Sequence, residues 1–375
     1  MKNLKVMFML SHSPDPRMLR KMNSFFKITN DISVVFWSRS FNLPIPKEFH
    51  IRSIEANDSW NIFNRLFIDL KLFFVSLKYL LNIKPTIIYI SGFDMIPAGF
   101  FYKIINQRIK LVIEIGDLPG GRFSKKKWIR IFNKLINKML VKADLLVLTS
   151  PFFWENYYKN LLPSGEKIFI FENLPLRVIF QNFQPKKHEK LTIGWVGTIR
   201  YRKQIEMLFE SCKEYVNNID IIVAGMGPDY KYIKEKSTEY HNVNIIGAYN
   251  YERDILDIYS KIDVVYSVYD AEDFNVRVAI PNRLYESIVC GLPIIVAKNT
   301  ALSWVVKKYG VGFEVSSSNV NELKELIKNI LNNPDILNSY KENALRIRHN
   351  FYYENMEDKF IYKITTMVNT EDCVT

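Results

Sequence analysis

Short apolar runs alternate with amphipathic helical stretches along almost the whole chain. A run such as Leu4–Leu10 is followed by helical periodicity in Pro16–Ile28, and the same succession recurs many times. This alternation predicts parallel strands, because the crossover between two parallel strands needs about a dozen residues and is usually a helix. Runs that are apolar throughout are typical of strands covered on both faces. We therefore expect parallel sheets with helices on both sides.

The alternation forms two series, separated by the polar, aperiodic stretch 176–190. A chain of 375 residues is longer than one hydrophobic core usually supports, so two domains are expected. The predicted strands are Leu4–Leu10, Ser33–Trp37, Thr86–Ile90, Lys110–Ile115, Asp144–Leu148 and Lys167–Phe171, then Leu191–Val196, Asp220–Ala224, Val243–Gly247, Asp263–Ser267, Leu292–Ala297 and Val311–Val315. We predict an α/β protein with two Rossmann-like, doubly wound domains at 1–175 and 191–335. The stretch 176–190 would be the linker, and a helical segment at 336–375 would cross back to the first domain.

Charge is distributed unevenly between the two halves. Residues 1–188 contain 29 Lys and Arg against 13 Asp and Glu, whereas residues 189–375 contain 22 against 26. A basic half predicts contact with a polyanion, for which nucleic acid and anionic lipid are the candidates. Solvated charge without a partner is the alternative. The chain contains no recognisable nucleic-acid-binding module, so we predict no nucleic-acid partner.

Two segments of the first half combine cations with aromatic residues. Ile62–Ile83 places Phe and Leu on a helical stripe that Arg65, Lys71 and Lys78 interrupt. These charges are too frequent for a spanning helix, which needs about 20 nearly uncharged residues. Basic amphipathic helices do lie in membrane interfaces, and Arg122–Phe132 has a similar composition. Both segments are predicted to contact an anionic membrane surface, and core helices with a solvated basic face are the alternative.

The cysteines give no sign of a metal site or a disulfide framework. Cys212, Cys290 and Cys373 are far apart and lack the spacing of either. This usage is typical of a reducing cytoplasm. The apolar run near Met1 is too short for a signal peptide, so we expect a cytoplasmic protein.

The segment 281–297 joins a helix that carries one acid to a buried strand. Gly291 is predicted to end the helix, Pro293 prevents its continuation, and Ile294–Ala297 has the composition of a covered parallel strand. In this setting Glu286 would be placed to hold a polyol such as a ribose. A helix-to-strand junction of any doubly wound domain is the alternative.

Two loops follow predicted strands of the second series, at the sheet edge where open α/β proteins bind ligands. In the first, Gly197 would let the backbone approach a phosphate, and Arg200, Arg202 and Lys203 would supply positive charge. The second is the glycine turn Gly225–Gly227. With the acid of the helix, these loops match the diphosphate, base and ribose of a nucleotide. The absence of a Walker lysine motif argues against an ATPase or a kinase.

Several motifs resemble those of one enzyme family. Gly197 and Lys203-Gln204 resemble a Gly-Arg-Leu…Lys-Gly motif, and Pro281, Arg283, Glu286, Gly291 and Pro293 resemble a Pro-x-Lys-x-x-Glu-x-x-x-x-Gly-x-Pro helix. In the first domain Asp15–Arg17, Glu114–Asp117 and Glu172–Pro175 are similar too. The family is that of the bacterial family 4 glycosyltransferases, which are retaining enzymes of the GT-B fold. Three positions depart from its pattern, since Thr198 replaces an arginine, Val278 the first of two glutamates and Gly116 a histidine.

The resemblance implies a role for each matching residue. The implied catalytic residues are Lys203, Arg200 and Asp117, of which Lys203 with Arg200 or Arg202 would neutralise the leaving diphosphate in place of a metal ion. The implied donor-binding residues are Gly197, Arg202, Gly225, Gly227, Asn275, Asn282, Arg283 and Glu286. The implied acceptor side comprises His12, Asp15 and Arg17. Asp117 could instead form a turn, His12 could be a loop residue without a role, and Arg17 could pair locally.

The predicted function is therefore transfer of a sugar from a nucleotide-sugar donor, with UDP as the expected nucleotide, to an undecaprenyl-diphosphate-linked saccharide. The wider process implied by the resemblance is capsule, O-antigen or exopolysaccharide assembly at the inner face of the cytoplasmic membrane. No cofactor is expected, because the nucleotide-sugar is a substrate. No metal is expected either, because Lys203 with Arg200 or Arg202 would act in its place. The alternatives are a sugar-nucleotide epimerase or hydrolase of the same fold, or a non-catalytic scaffold of a polysaccharide assembly complex.

Overall fold

A computed structural model describes residues 4–38, 47–55, 62–118 and 126–369 of the chain. The described residues divide into two compact units, one within Met1–Glu172 and Met356–Thr375 and the other within Asn173–Asn355. Residues 122–125 of the second predicted membrane segment, and Cys373, lie outside the described residues.

Two parallel sheets organise the units. The strands are β1 Lys5–Leu10, β2 Asp31–Ser38, β3 His50–Glu55, β4 Ile87–Ser91, β5 Lys110–Ile115, β6 Leu145–Leu148, β7 Ile168–Ile170, β8 Leu191–Val196, β9 Ile219–Ala224, β10 Val243–Gly247, β11 Val264–Ser267, β12 Ile294–Ala297 and β13 Gly312–Val315. The first sheet has the order β3-β2-β1-β4-β5-β6-β7, and the second has the order β10-β9-β8-β11-β12-β13. Every described pairing is parallel, so the predicted doubly wound α/β architecture is confirmed.

Helices connect these strands. They are α1 Pro16–Ser24, α2 Ile62–Ile83, α3 Ile96–Ile105, α4 Lys127–Val141, α5 Pro151–Phe153, α6 Arg177–Phe180, α7 Arg202–Cys212, α8 Tyr230–Ser237, α9 Tyr251–Ser260, α10 Phe274–Val278, α11 Asn282–Cys290, α12 Ala301–Tyr309, α13 Val320–Asn332, α14 Asp335–Ile347 and α15 Glu354–Asn369. None of the described helices is long and apolar enough to span a membrane.

The strand order places a topological switch point in each sheet. The order reverses between β1 and β4 in the first sheet and between β8 and β11 in the second. Ligands of open α/β sheets bind outside the carboxyl ends of the strands at such points. The loops after β1 and β8 are therefore the places where each unit is expected to hold a ligand.

The predicted stop of the helix before β12 is confirmed. Gly291 has φ +66°, a left-handed conformation that favours glycine, and Leu292 N–H donates to the carbonyl of Ser287 at 2.8 Å. This turn reverses the chain directly after α11, so that β12 enters the sheet between β11 and β13. All four residues of β12 are buried, as an apolar run in a covered sheet requires.

Three features differ from the sequence prediction. β3 was not predicted, because His50-Ile51-Arg52-Ser53-Ile54-Glu55 is largely polar, which a strand at a sheet edge tolerates. α12 was missed as well, although Thr300 and Ser303 form a capping box at its start. The helical segment predicted at 336–375 is interrupted between α14 and α15. Its last helix, from Met356 onward, belongs to the first unit.

Candidate functional site

The loops after β8 and β9 lie side by side at the switch point of the second sheet. Gly197 N–H donates to the carbonyl of Ala224 at 2.8 Å, and Ile199 N–H donates to that of Met226 at 3.0 Å. The two loops thus continue the pairing of their strands beyond the sheet edge.

Glycine is needed in these loops because their backbones approach closely. Gly197 and Gly225 have φ +110° and +141°, in the region that side chains rarely adopt. A Cβ on Gly225 would overlap the carbonyl oxygen of Gly197, and one on Gly227 would overlap that of Ile199. The structure therefore gives the glycine turn a packing function, and its contact with a nucleotide stays a prediction.

Glu286 lies in the middle of α11 and is almost completely buried, with 4% of its surface exposed. The hydroxyl of Tyr251 donates to Oε1 at 2.6 Å, and that of Tyr259 donates to Oε2 at 2.7 Å. Burial and the nearby carboxylate raise the pKa of Tyr259 well above its ordinary value, and the same two causes raise the pKa of Tyr249 to about 12. Tyr259 and Tyr249 consequently keep their protons, and the hydroxyls of Tyr251 and Tyr259 are the hydrogen-bond donors to the acid.

Arg283 is one turn earlier on the same helix and is also buried. Its guanidinium lies over the ring of Trp195 at 4.3 Å and near that of Tyr269 at 5.3 Å, and Nη2 donates to the carbonyl of Thr198 at 3.4 Å. Nη1 is buried and has no hydrogen-bond partner among the described residues. The aromatic rings hold a cation beneath the Gly197 loop with donor capacity left over.

The predicted cations Arg200, Arg202 and Lys203 are exposed, and the last two begin α7. Arg200 lies 5.1 Å from the ring of Tyr201, and Arg202 lies 5.2 Å from that of Tyr232. Lys203 lines a pocket of about 300 Å³ between α7 and the loop after β13, together with Gln204, Glu206, Met207, Glu210, Ser317, Ser318 and Val320. The residues lining this pocket differ from those around Glu286.

The remaining predicted donor residues lie at helix starts. Asn275 is in the first turn of α10, where its backbone N–H donates to Asp273 at 2.8 Å. Asn282 is the first residue of α11, one turn before Glu286. Their side chains stay predicted contacts of the donor.

In the first unit, Asp15 caps α1 and Arg17 forms ion pairs. The Asp15 carboxylate accepts from Met18 N–H at 2.7 Å, and Arg17 lies 3.3 Å from Glu114 and 3.8 Å from Asp15. This is the local pairing that the sequence left open as an alternative for Arg17. His12 Nδ1 lies 2.7 Å from the carbonyl oxygen of Ser13, after β1.

Comparison with known proteins assigns an activity class to this arrangement. Residues 178–346 match the family model described as glycosyl transferases group 1. This range contains the predicted donor residues of the second unit. The succinoglycan biosynthesis protein ExoL of Rhizobium meliloti is 25% identical over 277 residues, which cover 70% of this chain and 67% of that protein.

Solved structures show the same fold. Sucrose-phosphate synthase of Thermosynechococcus elongatus matches with a TM-score of 0.73 and 15% identity, covering 98% of this chain and all of that one. The Anabaena protein HepE in complex with UDP matches with a TM-score of 0.69 and 14% identity, covering 97% and 100%. This chain is a GT-B glycosyltransferase.

The first unit of this glycosyltransferase also contains a buried charge cluster that the sequence did not predict. Lys21 Nζ lies 2.7 Å from Glu114 Oε2, and the hydroxyl of Tyr89 donates to the same carboxylate. Burial lowers the pKa of Lys21, against the opposing effect of Glu114. Burial acts to raise the pKa of Glu114, but Lys21 and Arg17 outweigh it and hold that pKa below its ordinary value. The helical spacing of Arg17 and Lys21, four residues apart, was the available signal.

Asp117 follows β5 by two residues and is exposed. Burial acts to lower the pKa of Arg17, but the negative charges of Glu114, Asp15 and Asp117 outweigh it and raise that pKa. The structure thus places four of the predicted first-unit positions, His12, Asp15, Arg17 and Asp117, in the loops after β1 and β5 or at the start of α1. Their catalytic and acceptor-binding functions stay predictions.

The second unit adds aromatic residues that sequence reasoning missed. Tyr251 and Tyr259 hold both oxygens of Glu286, and Trp195 and Tyr269 cover Arg283. Tyr251 and Tyr259 both lie on α9, and nothing in the sequence around them indicates that their partner is 35 or 27 residues away.

Proposed function

We propose that this enzyme transfers a hexose or an amino sugar from a UDP-sugar to an undecaprenyl-diphosphate-linked saccharide, with retention of anomeric configuration. The observation that carries the proposal is the pair formed by Arg283 and Glu286 at the switch point of the second sheet. A buried carboxylate and a buried cation with an unused donor, one helical turn apart, suit the ribose and the diphosphate of a nucleotide. HepE, a similar fold in complex with UDP, supports the choice of nucleotide.

Glu286 would accept hydrogen bonds from the ribose, in exchange for the hydroxyl of Tyr251. Tyr259 is completely buried and would keep its hydrogen bond to Oε2, which holds the carboxylate in place. Tyr251 is only partly buried, at the first residue of α9, so its hydroxyl is the one that a ligand could replace.

The leaving diphosphate would be neutralised by cations. Arg283 would approach it through Nη1 beside the Gly197 loop, and Lys203 with Arg200 or Arg202 would contribute further positive charge. Opposite charge placed where negative charge develops lowers the barrier to bond cleavage, which is the work a metal ion performs in other enzymes. Asp117 would assist at the reacting sugar, and His12, Asp15 and Arg17 would face the acceptor.

The wider process that we propose is assembly of a surface polysaccharide, namely capsule, O-antigen or exopolysaccharide, at the inner face of the cytoplasmic membrane. ExoL, the similar protein from Rhizobium meliloti, carries succinoglycan biosynthesis in its name. The excess of Lys and Arg in residues 1–188 supports an anionic membrane surface as the partner.

The test is a titration of UDP, and of a panel of UDP-, GDP- and dTDP-sugars, against Lys203→Ala, Arg283→Gln and Glu286→Gln. Loss of charged hydrogen bonds is worth about 1.5–3 kcal/mol each, so affinity is expected to fall about 10- to 100-fold in each variant. Lys213→Ala, which removes an exposed lysine just after α7, is the matched control and should bind as the wild type does.

Unchanged nucleotide affinity and turnover in Lys203→Ala and Glu286→Gln would show that the site is wrong. Product analysis with and without a lipid-linked acceptor separates transfer from the alternatives. Sugar-nucleotide consumption that needs no acceptor would indicate an epimerase or a hydrolase, and the absence of any turnover by the purified protein would indicate a scaffold.

A further inference from the structure

Large apolar side chains are exposed on three helices of the first unit. Eleven of the seventeen large hydrophobic residues that are exposed in the described part of the chain belong to α2, α3 or α4. The six that define what we call the apolar face are Phe67, Phe74, Ile104, Ile105, Ile131 and Phe132. Single exposed hydrophobic residues need no explanation, but clusters on a monomer usually mark an interaction site.

The three helices that carry these side chains are neighbours. α2 packs against α3, and α3 packs against α4. The rings of Phe73 on α2 and Phe101 on α3 contact each other at 5.9 Å between centroids. The exposed side chains of the apolar face therefore belong to three helices that follow one another on the surface of the first unit.

Positive charge surrounds the apolar face. α3 and α4 contain no acidic residue, and α2 contains only Asp69. Among the side chains of these helices that the structure describes, the exposed cations are Lys71, Lys78, Lys127, Arg130, Lys134 and Lys138. A surface that is both apolar and cationic matches a partner that offers hydrocarbon next to negative charge.

On α4 the two kinds of side chain occupy the same outer side. Arg130, Ile131, Lys134, Leu135 and Lys138 are all exposed, at the i, i+3, i+4 spacing of one helical face. A core helix with a solvated basic face would instead bury its apolar residues. α4 does bury Ile136 and Leu140 on its opposite side, so the outer isoleucine and leucine are additional to its core contacts.

We propose that the outer surface of α2, α3 and α4 docks on an anionic lipid bilayer, with the apolar face inserted among the acyl chains and the flanking lysines and arginines on the headgroups. This inference rests on the proposed function, because a lipid-linked acceptor requires the first unit to reach a bilayer. An acidic protein surface would satisfy the cations but not the exposed Phe and Ile side chains, and nucleic acid offers no apolar surface to them. Anionic lipid satisfies both.

The experiment is co-sedimentation of the full chain with vesicles of phosphatidylcholine alone and of phosphatidylcholine with an equal part of phosphatidylglycerol. Binding is expected only to the anionic vesicles and is expected to weaken with salt. Each cation at an anionic surface contributes about fivefold to binding, so the variant R130Q/K134Q/K138Q should bind about 100-fold more weakly. The variant F67S/I131S/F132S should lose binding in low salt too, because it removes the inserted part.

Matched controls come from the second unit. K213Q/K231Q/K234Q removes three exposed cations, and V178S with W304S removes two exposed apolar side chains. Both should bind vesicles as the wild type does. The proposal would be overturned if the control variants lost as much vesicle binding as the surface variants, or if the wild type bound neutral vesicles as well as anionic ones. It would also be overturned if the wild type were a dimer that F67S/I131S/F132S converts to a monomer.

Transfer to a water-soluble acceptor separates this inference from the proposed function. The two surface variants should retain that activity, since no substituted residue belongs to the predicted donor or acceptor site. Vesicle binding without any sugar transfer would refute the proposed function alone. Transfer without vesicle binding would refute the docking surface alone.

Discussion

The replacement Glu114→Gln tests the buried charge cluster of the first unit. The Glu114 side chain is fully buried, Lys21 Nζ lies 2.7 Å from it with 2% exposure, and Arg17 lies 3.3 Å away. Glutamine keeps the size of the side chain and can still accept from Tyr89, but it removes the only negative charge in this contact set. The buried cation Lys21 then loses its carboxylate partner, whereas the half-buried Arg17 keeps Asp15 at 3.8 Å.

The expected loss is about 3–5 kcal/mol of unfolding free energy, which is the usual cost of breaking a buried ion pair by removing one partner. The Coulomb attraction supports this magnitude, since two unit charges about 3 Å apart interact by about 5–6 kcal/mol at an effective dielectric constant of 20. Lys21 limits the loss because burial already lowers its pKa, so it can release its proton once Glu114 is neutral. For a unit of this size we expect the melting temperature to fall by about 6–20 °C.

The pH dependence has a definite sign. The folded pKa of Glu114 lies below its ordinary value, so its contribution is complete above the ordinary pKa of a glutamate and is lost as pH falls through the folded pKa. The difference between the wild type and Glu114→Gln should therefore be largest near neutral pH and should shrink in acid.

The assay is urea unfolding followed by tryptophan fluorescence and by circular dichroism, since a chain with two units can unfold in more than one step. Asp257→Asn is the matched control, because Asp257 forms exposed ion pairs with Lys186 and Lys261 and should change stability by less than about 1 kcal/mol. A loss in Glu114→Gln no greater than that of the control, or a difference that grows in acid, would refute the reasoning.

Three further predictions concern the second unit. Gly225→Ala should destabilise the second unit by several kcal/mol or prevent its folding, because residue 225 has φ +141° and a Cβ there would overlap the backbone of Gly197. Urea unfolding measures this loss, and a variant as stable as the wild type would contradict the prediction. Tyr259→Phe should weaken UDP binding about 10-fold by calorimetry, because Glu286 loses the donor that orients it, whereas unchanged affinity would exclude this positioning function. Cys212 should resist thiol reagents in the folded protein up to pH 9, because burial raises the pKa of its thiol and keeps the reagent away from the sulfur. Rapid labelling of Cys212, detected by mass spectrometry, would contradict this prediction.

Much of the candidate site followed from local signals. Gly291 and Pro293 indicated where α11 ends, and that boundary placed Glu286 and Arg283 on a helix at the edge of the sheet. The glycines after β8 and β9 indicated tight turns at the same edge, and both have positive φ or a close backbone neighbour. Each of these signals depends on residues within a few positions of one another, which is why one sequence is enough to detect them.

The partners of the site residues could not be predicted in this way. Tyr259 and Glu286 are 27 residues apart, and Lys21 and Glu114 are 93 apart, so their hydrogen bonds form only after the strands have taken their places in the sheets. The apolar face is a comparable case. The stripe in α2 was visible in the sequence, but which of its residues face the core and which face outward depends on how α2 packs on α3 and on the sheet.

Local patterns are enough to predict that the chain forms two parallel sheets, because the apolar strands, the helical periods between them and the glycine and proline boundaries each involve residues close together in the chain. They also indicate which residue types stand at the sheet edges. The tertiary structure alone decided which charges are buried together, which phenols hold Glu286 and which apolar side chains remain outside. The physical reason is that burial and pairing depend on distances between segments far apart in the chain, and those distances exist only once the sheets have formed.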